Sequence, residues 1–199
     1  MSKTVRIDPK RIRGEWREGY VLDDHTVKSI YLGDNEFGQP QYDTTRTEIG
    51  ELLFRLKYRH DTGTVEPLVR AAIRHMKAWS PGVDLLLPVP PSAARQVQPV
   101  TLLGREIAKR LGVPFVADCV TRRKQVPQLK DVYDYDERLR LLHGAHRIVP
   151  RLVTGRRVLL FDDLYRSGAT MNIITKALYD RGAVADVFVL AITQTRSNR

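Results

Sequence analysis

The stretch Val158-Leu-Leu-Phe-Asp-Asp-Leu-Tyr-Arg-Ser-Gly-Ala-Thr-Met171 decides the fold of this chain. It opens with four apolar residues, Val158 to Phe161, a run whose length suits one buried strand of a parallel sheet. Two adjacent carboxylates, Asp162 and Asp163, follow the strand, and a short loop comes after them. From Thr170 the apolar residues recur with the spacing of one helix face, at Met171, Ile174, Ala177 and Leu178. The stretch therefore predicts a strand, an acidic turn, a loop and a helix.

The residues beyond this helix predict a second buried strand. Arg181-Gly182 supplies a basic last turn followed by a glycine, which indicates that the helix ends there. Val187 to Ile192 is again a short apolar run. Strand, helix and strand in this order indicate a parallel α/β sheet, and such sheets bind ligands at the carboxyl ends of their strands.

The loop between the aspartates and the helix has the chemistry of a phosphate site. A helix N-terminus has free backbone N–H groups and a partial positive charge, so it receives a phosphate well. Gly168 lets the backbone approach a ligand closely, and Ser167 and Thr170 add hydroxyl donors. Because carboxylates repel phosphate, the natural partners of Asp162 and Asp163 are sugar hydroxyls or a magnesium ion. A ribose phosphate fits both halves of this site, and the alternative is an ordinary strand–helix turn in which Asp163 caps the helix.

The same stretch resembles the signature with which type I phosphoribosyltransferases bind 5-phosphoribosyl 1-pyrophosphate (PRPP). That signature has an apolar strand, two acidic residues, two variable positions and a Thr-Thr-Gly-x-Thr-like loop. The loop here is Arg166-Ser167-Gly168-Ala169-Thr170. Arg166 stands where the family usually has a small hydroxyl residue, and Tyr165 is bulkier than usual. The resemblance implies an α/β fold in which helices flank a type I phosphoribosyltransferase-like parallel sheet.

Two further motifs make the chain similar to the ComF-like branch of that family from about residue 46 onward. Leu87-Pro-Val-Pro-Pro91 with Arg95 resembles the first-strand loop, which cradles pyrophosphate in relatives. Thr121 to Gln128, followed by Glu137-Arg138 and Gly144-Ala145, resembles the flexible-loop segment. The chain departs from the branch because it lacks the usual N-terminal zinc ribbon with four cysteines.

The resemblance implies a role for each of these segments. Asp162 and Asp163 would hold the ribose hydroxyls directly or through an indirectly bound Mg²⁺, and Arg95 would stabilise the pyrophosphate leaving group. These three residues form the predicted catalytic set. The other predicted PRPP-binding residues are Leu164, Tyr165, Arg166, Ser167, Gly168, Ala169, Thr170, Pro90, Pro91 and Ser92. The predicted flexible loop contributes Arg122, Arg123, Lys124 and Gln128.

The first 45 residues predict a small β-rich appendage to a phosphoribosyltransferase-like domain of residues 46–199. Val27 to Leu32 indicates a strand, and Gly33 to Gly38 its hairpin turn. A helix is predicted to start at 43–45, where Thr45 and Glu48 have the spacing of a capping box. Further helices are predicted over about 65–79 and 99–111, and further strands over 84–90 and 113–120.

Composition limits the class of protein. The chain has 199 residues, of which 42% are hydrophobic, and this suits one well-filled domain. The chain has no apolar run near 18 residues, and no apolar segment follows its first charged residues. We therefore expect a cytoplasmic protein with no membrane partner. The single cysteine, Cys119, excludes an intramolecular disulfide and a cysteine-rich zinc site. The net charge of +10 indicates a polyanionic partner, for which PRPP and nucleic acid are the two alternatives.

These patterns together predict a transferase of nucleotide metabolism that belongs to the glycosyltransferase class. It would move the 5-phosphoribosyl group from Mg-PRPP to an unidentified nitrogen acceptor and release pyrophosphate. One alternative is a non-catalytic ComF-like accessory protein that senses PRPP or a nucleotide, or that acts with nucleic acid or a DNA-processing protein. A phosphoribosyl hydrolase is a third interpretation. Type I relatives are often dimers, and the aromatic N-terminal segment is a candidate interface for a homodimer.

Overall fold

A five-stranded sheet lies at the centre of the computed structural model, which describes residues 4–91, 96–122 and 146–195. The strands within these residues are β1 (Lys10–Arg11), β2 (Glu18–Asp24), β3 (Thr26–Asp34), β4 (Pro40–Arg46), β5 (Leu85–Pro88), β6 (Val120–Arg122), β7 (His146–Ile148), β8 (Arg157–Tyr165) and β9 (Asp186–Gln194). The central sheet has the order β1-β2-β9-β8-β5. Every neighbouring pair in it is parallel except β1 with β2. The carboxyl ends of β2, β9, β8 and β5 therefore meet at one edge.

Helices cover both faces of this sheet. Within the described residues they are α1 (Glu48–Arg59), α2 (Val65–Trp79), α3 (Pro99–Leu111) and α4 (Ala169–Gly182), with short 3-10 helices at Thr62–Thr64 and Pro150–Leu152. Helices α1, α2 and α3 contribute to one apolar core, and α4 contributes to a second core on the opposite face. The helices predicted over 65–79 and 99–111 have these same bounds in the structure.

The position of β8 in the sheet explains why its residues 158–161 are continuously apolar. Leu159 and Phe161 belong to the core under α1, α2 and α3, whereas Val158 and Leu160 belong to the core under α4. All four side chains are fully buried. Side chains alternate between the two faces of a strand, so a strand that is covered on both faces has no polar positions. Burial of each such side chain stabilises the fold by about 2 kcal/mol.

Three local predictions were wrong in detail. Helix α1 begins at Glu48 and Thr47 caps it, with its hydroxyl accepting from the Gly50 N–H, because residues 43–46 belong to β4. The left-handed residue that ends α4 is Ala183, and Gly182 is the last helical residue. Residues 113–120 do not form one strand, since they make an isolated parallel bridge between Phe115 and Leu86 before β6 starts at Val120.

The N-terminal residues form two different structures. Strands β1 and β2 extend the central sheet, whereas β3 and β4 form a separate antiparallel hairpin, as the pattern of 27–38 predicts. The sequence did not reveal β2, whose apolar run, residues 20–22, is only three residues long and lies between Gly19 and Asp23. The boundary at residue 45 between an appendage and a phosphoribosyltransferase-like domain stays a prediction. Among the described residues, no helix is both long and apolar enough to cross a membrane.

Candidate active site at the carboxyl edge of the sheet

The two aspartates of the opening motif lie at the carboxyl edge of the central sheet. Strand β8 continues through them to Tyr165, four residues beyond the predicted apolar run, because β8 keeps its pairing with β9. Asp162 pairs with Ala191 and Leu164 with Thr193 in that register. Only Arg166 to Gly168 then separate the strand from α4. The carboxylates and the helix N-terminus thus lie at the same edge, with residues 164–168 between Asp163 and α4.

The loop before α4 depends on its glycine. Gly168 occupies the N-cap position with φ of 76°, in the left-handed region that favours glycine. A Cβ at this position would lie 2.5 Å from the Tyr165 hydroxyl oxygen, so a side chain does not fit there without movement. The N-cap residue of α4 is Gly168, so Asp163 is not the helix cap that the alternative interpretation required. The first backbone N–H groups of α4 have the orientation that receives an anion at a helix N-terminus.

The two carboxylates have different environments. The backbone N–H of Asp163 donates to Oδ1 of Asp162 at 2.8 Å. Lys57 donates from its Nζ to Oδ2 of Asp163 at 3.0 Å, and the two side chains are only 14% and 11% exposed. Burial, together with the neighbouring charge of Asp163, raises the pKa of Asp162 to about 8. The pair therefore carries less negative charge at neutral pH than two free carboxylates would.

Helix α1 positions Lys57 over the aspartates. Its capping residue Thr47 also donates from its hydroxyl to the backbone carbonyl of Asp24 at 2.6 Å, which fixes the start of the helix to the end of β2. Gly50 in the first turn lies against the carbonyl of His25, where a Cβ would overlap the oxygen. The apolar pattern of this helix predicts only a core role and does not reveal Lys57. No local signal marks it, because 106 residues separate it from Asp163.

A histidine stands beside the lysine at this edge. His25 follows β2, and its Nδ1 lies 3.1 Å from the hydroxyl oxygen of the buried Thr193 at the end of β9. Burial, with smaller effects from the charges of Arg46 and Lys57, lowers the pKa of His25 to about 4. The imidazole is therefore neutral at pH 7. A neutral ring can donate or accept a hydrogen bond at the edge where a ligand would bind.

The structure brings part of the predicted site together. Pro90 and Pro91 follow β5, whose last residue pairs with Phe161, so they lie at the same edge as the aspartates. Around the loop, Leu164, Tyr165 and Thr170 are half-buried, Ala169 is buried, and Arg166 and Ser167 are exposed. Arg122 pairs with His146 in the sheet of β6 and β7. Ser92, Arg95, Arg123, Lys124 and Gln128 lie outside the described residues.

The donor set is compatible with magnesium that is held mainly by a substrate. Mg²⁺ prefers oxygen ligands and is usually bound through one or two carboxylates together with substrate phosphates. Asp162 and Asp163 supply such carboxylates, although Lys57 already binds one oxygen of Asp163. Within the described residues, no group of three or more His, Cys, Asp or Glu side chains is arranged to hold a metal. A magnesium ion at this edge would therefore need oxygens of the ligand.

The fold is similar to that of solved adenine phosphoribosyltransferases. The enzyme from Trypanosoma brucei, solved with AMP, pyrophosphate and ribose 5-phosphate, is 14% identical with a TM-score of 0.51, over 95% of this chain and 75% of that chain. The enzyme from Thermoanaerobacter pseudethanolicus is 18% identical with a TM-score of 0.43, over 83% and 95% of the two chains. The Saccharomyces cerevisiae enzyme is 16% identical with a TM-score of 0.46, over 82% and 83%.

These comparisons concern the fold. Comparison with models of protein families and with curated protein sequences finds no match. At such low identity, the likeness to the T. brucei enzyme shows a shared fold, and the fold class that the sequence predicts is thereby confirmed. A shared fold does not establish a shared activity, so function must be argued from the site.

Proposed function

We propose that this protein binds Mg-PRPP at the carboxyl edge of its central sheet and transfers the 5-phosphoribosyl group to a nitrogen acceptor, releasing pyrophosphate. One observation carries the proposal. The pair Asp162–Asp163 lies near the carboxyl end of the central strand β8, and five residues, 164–168, separate Asp163 from the N-terminus of α4. Sugar hydroxyls and a phosphate, joined as in a ribose 5-phosphate, match these two features. The more specific ComF-like assignment and the cytoplasmic location stay predictions.

Each part of the ligand has a partner in this proposal. The carboxylates of Asp162 and Asp163 accept hydrogen bonds from the ribose hydroxyls. The 5′-phosphate lies at the N-terminus of α4, where the backbone N–H groups of 166–170 and the hydroxyls of Ser167 and Thr170 donate to it. The pyrophosphate lies toward the segment that follows β5, where Pro90 and Pro91 are placed. By the family resemblance, Ser92 and Arg95 continue that segment.

Lys57 has a positioning role in the proposed site. Two carboxylates beside a triply phosphorylated ligand would repel it, but the ammonium group of Lys57 lies 3.0 Å from Asp163 and offsets one of these charges. The raised pKa of Asp162, which burial and the charge of Asp163 cause, reduces the negative charge further. The edge can therefore accept the sugar through carboxylate oxygens without excluding the phosphates.

The proposed reaction breaks one bond and forms another at the anomeric carbon. The bond from that carbon to the pyrophosphate oxygen breaks, and its electron pair leaves with pyrophosphate. The lone pair of the acceptor nitrogen forms the new bond, and the nitrogen loses its proton to solvent or to a base. When bound, Mg²⁺ would offset charge on the leaving pyrophosphate. The roles of Arg95 and of Arg122, Arg123 and Lys124 in stabilising that group remain proposals, as does the place of Gln128 in the flexible loop.

The net charge of +10 supports a second candidate function. A basic protein with this site could report PRPP or a nucleotide to a nucleic acid or to a DNA-processing partner without turning the ligand over. In that case, nucleic-acid affinity should fall steeply with salt and should change when PRPP is added. The transferase instead requires pyrophosphate release with at least one nitrogen base.

The test is a calorimetric titration of Mg-PRPP into the wild type and into Asp163→Asn, followed by a pyrophosphate-release screen with nitrogen heterocycles. We expect the wild type to bind and the variant to lose binding while its circular dichroism spectrum is retained. Ribose 5-phosphate and pyrophosphate, titrated separately, show which half of the ligand is recognised. A folded wild type that binds none of the three would overturn the site. PRPP binding without pyrophosphate release for any base would favour the sensor.

A further inference from the structure

The turn between β1 and β2 packs against the first turn of α4. The backbone N–H of Glu15 donates to Oδ1 of Asn172 at 2.9 Å, although 157 residues separate the two in sequence. A Cβ at Gly14 would overlap the same oxygen, so the backbone of the turn lies directly against the Asn172 side chain. Asn172 makes the first hydrogen bond of the helix, because its N–H donates to the carbonyl of the N-cap residue Gly168 at 2.8 Å. The N-terminal segment therefore reaches the helix end at which the proposed phosphate site lies.

Trp16 belongs to the same turn, and its ring is held inside the protein. The indole N–H donates to the carbonyl of Ile12 at 3.2 Å, and a Cβ at Gly19 would lie 2.6 Å from the indole nitrogen. The residue is only 6% exposed and belongs to the apolar core under α4. This aromatic side chain of the N-terminal segment thus packs within its own chain.

Tyr165 connects Trp16 to the loop before α4. The two rings meet edge to face, with centroids 6.4 Å apart and an angle of 84° between their planes, an arrangement that aromatic pairs favour. The Tyr165 ring also lies against Gly168, where an added Cβ would be 2.5 Å from the hydroxyl oxygen and 3.0 Å from Cζ. The backbone of Tyr165 is held by the N–H of Thr195, which donates to its carbonyl at 2.9 Å. A line of contacts therefore runs from Trp16 through Tyr165 to the N-cap of α4.

The loop before α4 needs such support because its proposed phosphate donors are largely backbone N–H groups. Binding groups must be held within about 0.5 Å of the productive geometry, and packing of the residues around them provides this constraint. Gly168 has φ of 76° and no side chain with which to fix the start of the helix. The three atoms nearest to a Cβ at this position all belong to Tyr165. The Tyr165 ring therefore limits how far the N-cap residue can move.

We propose that Trp16 is a positioning residue of the phosphate site, which it supports through Tyr165 while Asn172 ties the same turn to α4. This inference rests on the proposed function, because it names what supports the loop that would bind the 5′-phosphate. Trp16 acts without touching the ligand. Its removal should loosen the backbone N–H groups of 166–170 and weaken binding of the ribose 5-phosphate half. The pyrophosphate half lies toward the segment after β5 and should be unaffected.

The second tryptophan of the chain provides a matched control. Trp79 packs on the opposite face of the sheet, edge to face with Tyr20 at 5.0 Å and with Phe188 at 5.8 Å. Trp16→Leu and Trp79→Leu therefore remove the same ring from opposite faces, and both should destabilise the protein. Only Trp16→Leu removes a contact with the residues before α4. Trp16→Phe keeps an aromatic ring beside Tyr165 and should behave nearly as the wild type.

The first test is amide hydrogen exchange of the free protein and needs no ligand. In Trp16→Leu, exchange over residues 168–172 should become at least about tenfold faster, because the first turn of a helix exchanges by local opening. In Trp79→Leu it should stay within about twofold of the wild type. Asn172→Ala, a change at a half-buried position that removes the acceptor of Glu15, should accelerate the same amides by about threefold. This variant keeps the test decisive if Trp16→Leu does not fold. Equal acceleration by the two tryptophan changes, or none in Trp16→Leu and Asn172→Ala, would overturn the positioning role.

The second test separates the two halves of the ligand by calorimetric titration of folded variants. Trp16→Leu should weaken ribose 5-phosphate binding by about tenfold and leave pyrophosphate binding within about twofold, and Trp16→Phe should regain most of the loss. Trp79→Leu should leave both affinities within about twofold. An equal loss for both halves of the ligand, or an equal loss in Trp79→Leu, would reveal general destabilisation and contradict the inference. A wild type that binds no ribose 5-phosphate would refute the proposed function, whereas the exchange rates would still decide whether Trp16 positions the loop.

Discussion

Two aspartate pairs lie at the same edge of the sheet, at the ends of β2 and β8 on either side of β9. In each pair, the backbone N–H of the second aspartate donates to the side chain of the first, at 2.7 Å in Asp23–Asp24 and 2.8 Å in Asp162–Asp163. In each pair, a lysine binds the second carboxylate, from 14 residues away in one pair and 106 residues away in the other. Lys10 lies 2.6 Å from Asp24, and Lys57 lies 3.0 Å from Asp163. The local geometry of the two pairs is therefore nearly the same.

The two pairs differ in the segments that come after them. Asp24 also accepts from the side-chain amide of Gln194 at 2.9 Å, and the chain then turns into the hairpin. Asp163 is followed by a glycine-containing loop and the N-terminus of α4. The Asp23–Asp24 pair thus lies where the central sheet connects to the hairpin. The Asp162–Asp163 pair lies beside the positive N-terminus of α4, which can receive an anion. An aspartate pair at a strand end does not by itself predict a sugar site, and the loop and helix after it do.

The largest expected effect is a difference in Mg-PRPP affinity between variants of the two aspartate pairs. Asp163→Asn should weaken Mg-PRPP binding by at least about 100-fold, because it removes a charged acceptor for a ribose hydroxyl. Asp24→Asn should change the affinity by less than about threefold, since Asp24 is engaged by Lys10 and Gln194. Calorimetric titration of both folded variants measures this difference. Equal losses in the two variants would contradict the distinction between the pairs.

The next effect concerns stability. Lys57→Met leaves a buried carboxylate without its ammonium partner, and it should lower the free energy of unfolding by about 2 kcal/mol. Lys10→Met should cost less than about 1 kcal/mol, because this lysine is 36% exposed and Asp24 keeps Gln194. Urea unfolding of the two variants gives the comparison. If Lys10→Met were the more damaging change, Asp24 would be the carboxylate that depends on its lysine.

A smaller effect tests the loop that distinguishes the β8 pair. Gly168→Ala adds a Cβ at a left-handed residue and 2.5 Å from the Tyr165 hydroxyl, so it should weaken Mg-PRPP binding by about tenfold. Gly38→Ala is the matched control, with φ of 68° and no atom within 4 Å of the added Cβ. Both variants bear the backbone strain, but only the first should alter the titration. Unchanged binding in Gly168→Ala would show that the loop tolerates a side chain.

The smallest effect concerns His25, which lies next to both pairs. Its pKa is lowered to about 4 by burial and by the charges of Arg46 and Lys57, so the folded state favours the neutral ring. The stabilisation is present above the unfolded pKa near 6.5 and is lost as the pH falls toward 4. When the pH falls from 7 to 5, the free energy of unfolding should decrease by about 1 kcal/mol more in the wild type than in His25→Asn. His60→Asn, a substitution at an exposed histidine, serves as the control in the same urea-unfolding experiments.

The sequence predicted the centre of the fold because the required patterns are local. The buried strand, the loop and α4 are encoded within residues 158–178, and α2 and α3 follow from their own apolar faces. Strand β2 was missed because its side chains are half polar and its partner β9 is about 170 residues away. Lys57 and His25 were missed as parts of the site for the same reason. Their contacts with Asp163 and Thr193 are created by the packing of α1 and β2 on the sheet.

The order of the sheet also has a consequence for synthesis on the ribosome. Strands β8 and β9 lie in the middle of the sheet but near the end of the described chain, whereas β2 and β5 are made much earlier. Until the last two strands emerge, β2 lacks its partner β9 and β5 lacks its partner β8, so each exposes a strand edge on the nascent chain. Chains that stop before residue 157 should therefore depend on chaperones and be degraded or aggregate. The vulnerable period of this chain therefore lasts until residues 157–194 have been made, because only β8 and β9 complete the central sheet.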